Sequence, residues 1–144
     1  MNRIVLLVLT SSALLSCGKE LGRVPFTSVG TATATAPLAA GEVAFWTDID
    51  LEYEGDAALA YEVELSQGGA PVAKATCDPL ARLSVKESWV ETNLGASHSR
   101  HGTGKLGCSV TLAAGGPTTV KATLAFSHKP AKVTLRKADL VVKQ

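Results

Sequence analysis

The chain of 144 residues lacks the motifs that most directly indicate catalysis or metal binding. No GxSxG or HExxH motif occurs, and neither does a DxDxDG calcium loop. The 14 Lys and Arg residues nearly balance the 13 Asp and Glu residues, so bulk charge gives no reason to expect nucleic-acid binding. An enzyme is therefore the least favoured class, and no cofactor and no metal site are expected.

Long apolar runs are also scarce. The longest, residues 4–16, is shorter than the roughly 20 residues that a helix needs to cross a bilayer. It follows the positively charged start Met1–Arg3, which together with an apolar segment is typical of an export signal. We expect residues 1–16 to be a signal peptide.

The end of this segment reads Leu14, Leu15, Ser16, Cys17, Gly18. It resembles the lipobox of bacterial lipoproteins, and the resemblance covers residues 1–18 only. In that family a leucine lies three places before the cysteine and a small residue lies just before it. The resemblance implies that the chain is cut before Cys17 and that the Cys17 thiol is acylated.

Lipidation of Cys17 would decide where the protein resides, because two or more acyl chains anchor a protein stably. The resemblance implies a cell-envelope protein that is attached to the membrane by its lipid anchor. Gly18, rather than an aspartate, follows the cysteine, which favours the outer membrane. Residues 17–40, rich in Thr, Ala and Gly, are predicted to be a flexible tether, and residues 41–144 a single domain.

With Cys17 assigned to lipid, Cys77 and Cys108 remain as a pair in an oxidising compartment. We expect a disulfide, which would close a loop of about 30 residues and contribute roughly 3 to 4 kcal/mol. Zinc is the alternative, but two cysteines supply only half of a tetrahedral shell.

The rest of the chain alternates between apolar and polar residues. Residues 43–53 place Val, Phe, Thr, Ile, Leu and Tyr on one face and mainly acidic residues on the other, which is typical of a half-buried strand. Similar segments recur up to residue 142, with a bulge expected near Lys137 or Ala138 and a polar loop at 91–105. The sequence predicts an all-β, antiparallel sandwich of about seven or eight strands, immunoglobulin-like or jelly-roll.

An acidic run is the main local anomaly. Seven carboxylates are placed by the pattern on one hairpin: Asp48, Asp50, Glu52, Glu54, Asp56, Glu62 and Glu64. Calcium takes six to eight oxygen ligands, but alternate strand residues are spread about 6 to 7 Å apart. Three interpretations stay open: a charge-paired surface, a partner-binding acidic surface, and a calcium site.

Three further side chains are candidate ligand contacts. Trp46 falls on the outward face beside Asp48, where an exposed indole could stack on a sugar ring, unless a neighbouring segment covers it. His98 and His101 fall in the expected loop at 91–105, where they could contact a ligand or an ion.

The favoured function is a non-catalytic accessory or interaction lipoprotein that presents its sandwich to an unidentified envelope protein or glycan. The alternative is a carbohydrate-binding or calcium-binding jelly-roll module that uses Asp48, Asp50, Glu52 or Trp46.

Overall fold

The computed structural model describes residues 18–144, and this part of the chain folds as a β-sandwich of nine strands without a helix. The predicted fold class is confirmed. No helix in the described part of the chain is long and apolar enough to span a membrane. The predicted signal peptide, 1–16, and the lipid site Cys17 lie outside the described residues.

Two antiparallel sheets form the sandwich. The strands are β1 (Glu20–Val24), β2 (Gly30–Leu38), β3 (Gly41–Glu54), β4 (Ala58–Gln67), β5 (Ala70–Cys77), β6 (Lys86–Leu94), β7 (Ser97–Leu112), β8 (Gly116–His128) and β9 (Lys132–Lys143). The first sheet has the order β1-β9-β3-β7-β6, and the second has the order β2-β8-β4-β5.

The strand pairing follows a jelly roll. A jelly roll forms when a long antiparallel hairpin wraps around itself, so that the first strand pairs with the last and each later strand pairs with one nearer the middle. Here β1 pairs with β9, β2 with β8, β3 with β7, and β4 with β5. Strand β6 is an addition at the edge of the first sheet, beside β7. The structure thus decides between the two sandwich types that the sequence left open.

The core lies between the sheets and is built from the alternating apolar positions. Phe45, Ile49 and Leu51 of β3 are fully buried there. Thr47 has the same orientation, and its hydroxyl group forms a hydrogen bond of 2.8 Å with the hydroxyl group of Tyr61, which donates in turn to the Ala138 carbonyl. The two buried polar groups are therefore satisfied by each other and by the backbone.

The tether predicted for residues 17–40 is wrong over most of its length, because β1 and β2 occupy it. Val24, Ala36 and Leu38 are buried, and each lies between more exposed neighbours. Small alanines and threonines fit a sheet that packs closely against another sheet. Their low bulk conceals a strand pattern that larger apolar residues would have revealed.

The polar loop predicted at 91–105 is also wrong. Strands β6 and β7 run through it and are joined by a tight turn at Gly95 and Ala96, with Leu94 opposite Ser97. Gly95 has φ of 59°, a left-handed conformation that glycine adopts easily. The expected bulge in β9 is present beside Leu135, where the register against β3 shifts by one residue at Arg136.

One side of the sandwich, called here the disulfide side, is closed by a covalent bond. The Cys77–Cys108 disulfide joins β5 of the second sheet to β7 of the first. The segment 78–85 then crosses between the sheets and buries Leu83 against β7, where a Cβ on Gly104 would overlap the Leu83 side chain.

The two ends of the sandwich differ in what they carry. At one end, the Gly18 end, Lys19 and Gln144 exchange two backbone hydrogen bonds beside the turns at 39–40 and 113–115. At the opposite end, backbone hydrogen bonds connect the turns at 55–57, 95–96 and 129–131. Strand β3 runs from one end of the sandwich to the other, and its 14 residues span roughly 40 Å at about 3.4 Å per residue.

Candidate functional site

The acidic residues of β3 form a row on the outer face of the first sheet, where basic residues of neighbouring strands meet them. Asp48 accepts from Arg23 of β1 at 2.9 Å and lies 2.9 Å from the Lys137 ammonium group of β9. Arg23 also donates to Asp139 at 2.9 Å. Arg23 thus lies between two carboxylates and fastens the short strand β1 to the sheet.

The row continues toward the opposite end. Arg136, the bulge residue of β9, reaches Asp50 at 3.3 Å and Glu52 at 3.2 Å. Lys132 lies 3.4 Å from Glu54. The bulge directs the Arg136 side chain onto the outer face, between two successive outward carboxylates. These contacts favour the charge-paired interpretation of the acidic run.

These contacts change the proton affinity of the groups involved. Burial alone would raise the pKa of Asp48, but hydrogen bonds from Lys137 and Arg23 outweigh it and hold that pKa below its usual value. The hydrogen bond with Glu20, followed by those with Asp48 and Asp139, raises the pKa of Arg23. Asp48 is therefore a charged structural partner at neutral pH.

The seven carboxylates do not share one hairpin. The turn at 55–57 crosses from the first sheet to the second, so Glu62 and Glu64 lie on the other outer face. Glu64 pairs there with Lys74 at 3.4 Å. Among residues 18–144, no three His, Cys, Asp or Glu side chains come together as a metal-binding group.

Trp46 is buried, so of the two interpretations left open, an exposed sugar-stacking indole and a covered one, the structure supports the covered one. The indole points to the outer face, as the pattern indicates, yet only 1% of its surface is accessible. The Lys143 ammonium group lies 3.8 Å from the ring centroid, and Val85 and Lys105 line the same hollow of about 220 Å³. Within residues 18–144, the indole N–H finds no hydrogen-bond partner.

His98 and His101 point to opposite faces of the sheet, because residues three apart in a strand have opposite orientation. His101 lies opposite Asp50 on the outer face, 3.9 Å from its carboxylate. His98 lies opposite Tyr53 and stacks on its ring at 4.9 Å. The two histidines cannot share a metal ion.

His98 belongs to a polar cluster that sequence reasoning missed. The Asn93 amide oxygen contacts the His98 ring at 2.7 Å and accepts from Arg100 at 3.1 Å. Arg100 also reaches Glu91 at 3.2 Å and lies over the Tyr53 ring. A hydrogen bond from Trp89 lowers the pKa of Glu91 despite partial burial. Only the pairing of β6 with β7 brings these residues together.

A shallow groove of about 340 Å³ opens beside this cluster at the opposite end. Its walls lie on the outer face and combine carboxylates, hydroxyl groups, one lysine and one exposed leucine, whereas the Tyr53 and His98 rings point to the other face of the sheet. The lining residues include Glu52, Tyr53, Glu54, Leu94, Ser97, His98, Ser99, Lys132 and Thr134. Asp48, Asp50, Trp46 and His101 are outside this lining, so only Glu52 and His98 of the predicted contacts lie at the groove.

Comparison with known proteins adds no relative. No protein-family model matches the chain, and no curated protein matches its sequence.

Proposed function

We propose that the protein is a non-catalytic lipoprotein of the cell envelope that carries a jelly-roll binding module close to the membrane surface, with one end of the module facing away from the bilayer. The lipobox-like residues Leu14, Ser16 and Cys17 support the lipid anchor. A lipid on Cys17 would fix both the location of the protein and its orientation, because one end of the sandwich would then lie next to the membrane and the other end away from it.

The placement of Gly18 is the observation that carries this proposal. Gly18 follows Cys17 directly in the chain, and it lies against Lys143 and Gln144 at one end of the sandwich. The groove beside Tyr53 lies at the opposite end, roughly 30 Å away along β3, because Lys143 is opposite Ala44. A lipid on Cys17 would therefore leave the groove facing away from the bilayer, where a partner can reach it.

Metabolic labelling with a radioactive fatty acid tests the anchor. We expect label on the full chain, loss of label in Cys17→Ala, and recovery of the wild-type protein in the outer-membrane fraction. Cys77→Ala together with Cys108→Ala is the matched control, because it removes cysteines without removing the anchor. Unlabelled wild-type protein released into the soluble fraction would contradict the proposal.

Glycan binding in the groove is a second candidate, favoured by two outward carboxylates, Glu52 and Glu54, beside several hydroxyl groups. Titration with envelope oligosaccharides, followed by the backbone amide NMR signals of Ser97 and Ser99, tests it. We expect those signals to shift and the shift to be lost in Glu52→Gln. The indole of Trp46 serves as the internal control, since it lies outside the groove lining.

A further inference from the structure

The side of the sandwich away from the disulfide is only partly closed. Strand β1 pairs with Leu140–Lys143 of β9, and the last contact of this segment is the Phe26 carbonyl, which accepts from the Ala138 N–H at 2.9 Å. The chain then leaves for the second sheet. In the described part of the chain, no strand pairs with residues 132–137 on this side of β9.

The second sheet ends early on the same side. Strand β2 pairs with β8 only as far as Gly30 opposite Leu124, so residues 125–128 of β8 have no described strand on that side. Because alternate residues of an antiparallel strand direct their N–H and C=O groups to opposite sides, about half of residues 132–137 present these groups outward. These outward N–H and C=O groups form a row that can pair with an added strand.

An apolar crevice of about 660 Å³ opens between the two unpaired edges. Val133 and Leu135 line it from β9, and Phe126 lines it from β8. All three have the core-facing orientation, yet they are only partly buried. Val29, which is 50% exposed, forms the rim on the segment between β1 and β2. The crevice is therefore an opening into the core that an added strand would cover.

The charges around the crevice are basic. Lys129 lines it, and among the described lining residues there is no aspartate or glutamate. Lys132 lies next to Val133 on the same edge strand; its side chain is 77% exposed, and its ammonium group lies 3.4 Å from Glu54 on the outer face. A second copy of the chain would bring like charges together here, so self-pairing is disfavoured. An acidic partner is favoured.

We infer that this edge binds an extended acidic segment of a partner protein by strand addition to residues 132–137 of β9. Apolar side chains at alternate positions of that segment enter the crevice beside Val133, Leu135 and Phe126. Carboxylates between them face Lys129 and Lys132. In this mode main-chain hydrogen bonds give affinity and the alternate side chains give specificity. The inference goes beyond the proposed function, because the crevice is a second binding surface that depends neither on the groove nor on the lipid anchor.

A nine-residue peptide of alternating valine and glutamate is the probe, titrated against the full chain in detergent micelles. We expect saturable binding, and at least tenfold slower hydrogen exchange of the outward-facing amides among residues 133–137. The same peptide N-methylated at alternate amides keeps the side chains but loses the ladder bonds, so we expect no binding. Equal binding of the N-methylated peptide, or protection confined to β5 or β6, would overturn strand addition.

Matched variants test the crevice itself. Val29→Asp places a carboxylate at the rim, and because Val29 is half exposed the fold should tolerate it. We expect at least tenfold weaker peptide binding, whereas Val72→Asp, at a similarly exposed valine of β5, should bind as the wild type does. Lys129→Glu should weaken binding at least threefold, and Lys121→Glu on the outer face of the second sheet should not.

Two results would overturn the inference outright. One is a stable dimer that cross-links between Thr134 residues of two chains, which would make the occupant a second copy. The other is wild-type peptide affinity in Val29→Asp and Lys129→Glu alike. Loss of fatty-acid labelling would contradict the proposed anchor and leave the peptide titration unaffected, so the two failures can be told apart.

Discussion

The disulfide side and the crevice side close the same two sheets in different ways. On the disulfide side a covalent bond, the crossing segment 78–85 and the buried Leu83 join the sheets. On the crevice side, ion pairs of Arg23 hold β1 in place. Within the described part of the chain, no strand pairs on this side with residues 125–128 of β8 or 132–137 of β9. We therefore expect stability to be concentrated on the disulfide side, which leaves the crevice side available to present backbone and apolar surface.

Removal of the disulfide should have the largest effect on the difference in stability between the two sides. The bond joins residues 31 apart, and a loop of this length contributes roughly 3 to 4 kcal/mol. We expect Cys77→Ala with Cys108→Ala to lower the free energy of unfolding by about that amount, measured by denaturant titration. A reducing agent should reproduce the loss in the wild type and change nothing in the variant. A loss below about 1 kcal/mol would contradict the view that this side dominates stability.

Matched leucine truncations on the two sides should differ about threefold. Leu83 is 5% exposed, so Leu83→Ala should lower the free energy of unfolding by about 3 kcal/mol. Leu135 is only partly buried at the crevice, and Leu135→Ala should lower it by about 1 kcal/mol. Thermal and denaturant unfolding of both variants measure the ratio. Equal losses would show that the crevice is as well packed as the disulfide side.

Gly102 tests how closely β6 packs on the disulfide side. A Cβ at Gly102 would lie 2.5 Å from the Ser88 carbonyl oxygen, and the glycine has φ of 134°. Because both the space and the conformation are unsuited to a side chain, we expect Gly102→Ala to lower the free energy of unfolding by about 2 kcal/mol. Gly107→Ala in the same strand is the control, because no atom lies within 4 Å of its Cβ position. A neutral Gly102→Ala would show that β6 is loosely held.

The smallest effect concerns the charges that hold β1. The folded pKa of Asp48 is lowered, so its contribution is present above the unfolded pKa of about 4 and is lost as pH falls through the lower folded value. We expect Asp48→Asn to lower the free energy of unfolding by about 1 kcal/mol at pH 7, and the difference from wild type to shrink in acid. Hydrogen exchange should show faster amides in β1 and unchanged amides in β5. A pH-independent difference would mean that the Asp48 charge contributes nothing.

The fold class was predictable because large apolar residues alternate strongly in β3, β4 and β8. The disulfide followed from cysteine number once Cys17 was set aside. Strands β1 and β2 were missed because alanine and threonine carry little apolar contrast. The β6–β7 hairpin was missed because polar residues occupy both of its faces near the opposite end, where the core is thin.

The candidate site was less predictable than the fold. The alternation correctly placed Trp46 on the outer face, but it could not show that Val85 and two lysine stems surround it, since those contacts depend on strand order. The acidic run was visible, whereas its basic partners come from β1 and β9, far away in the chain. The crevice depends on where strands stop relative to their neighbours, and local patterning does not encode that.

The two backbone hydrogen bonds between Lys19 and Gln144 have a practical consequence for engineering. A short linker joining these residues would close the backbone into a ring without disturbing any strand pair. The ring could then be opened in the turn at 55–57, at the opposite end, where Asp56 is exposed and the left-handed Gly55 has open space around its Cβ position. Such a circular permutant would keep the jelly roll and carry its new start where the binding groove lies, which allows the module to be tethered by either end.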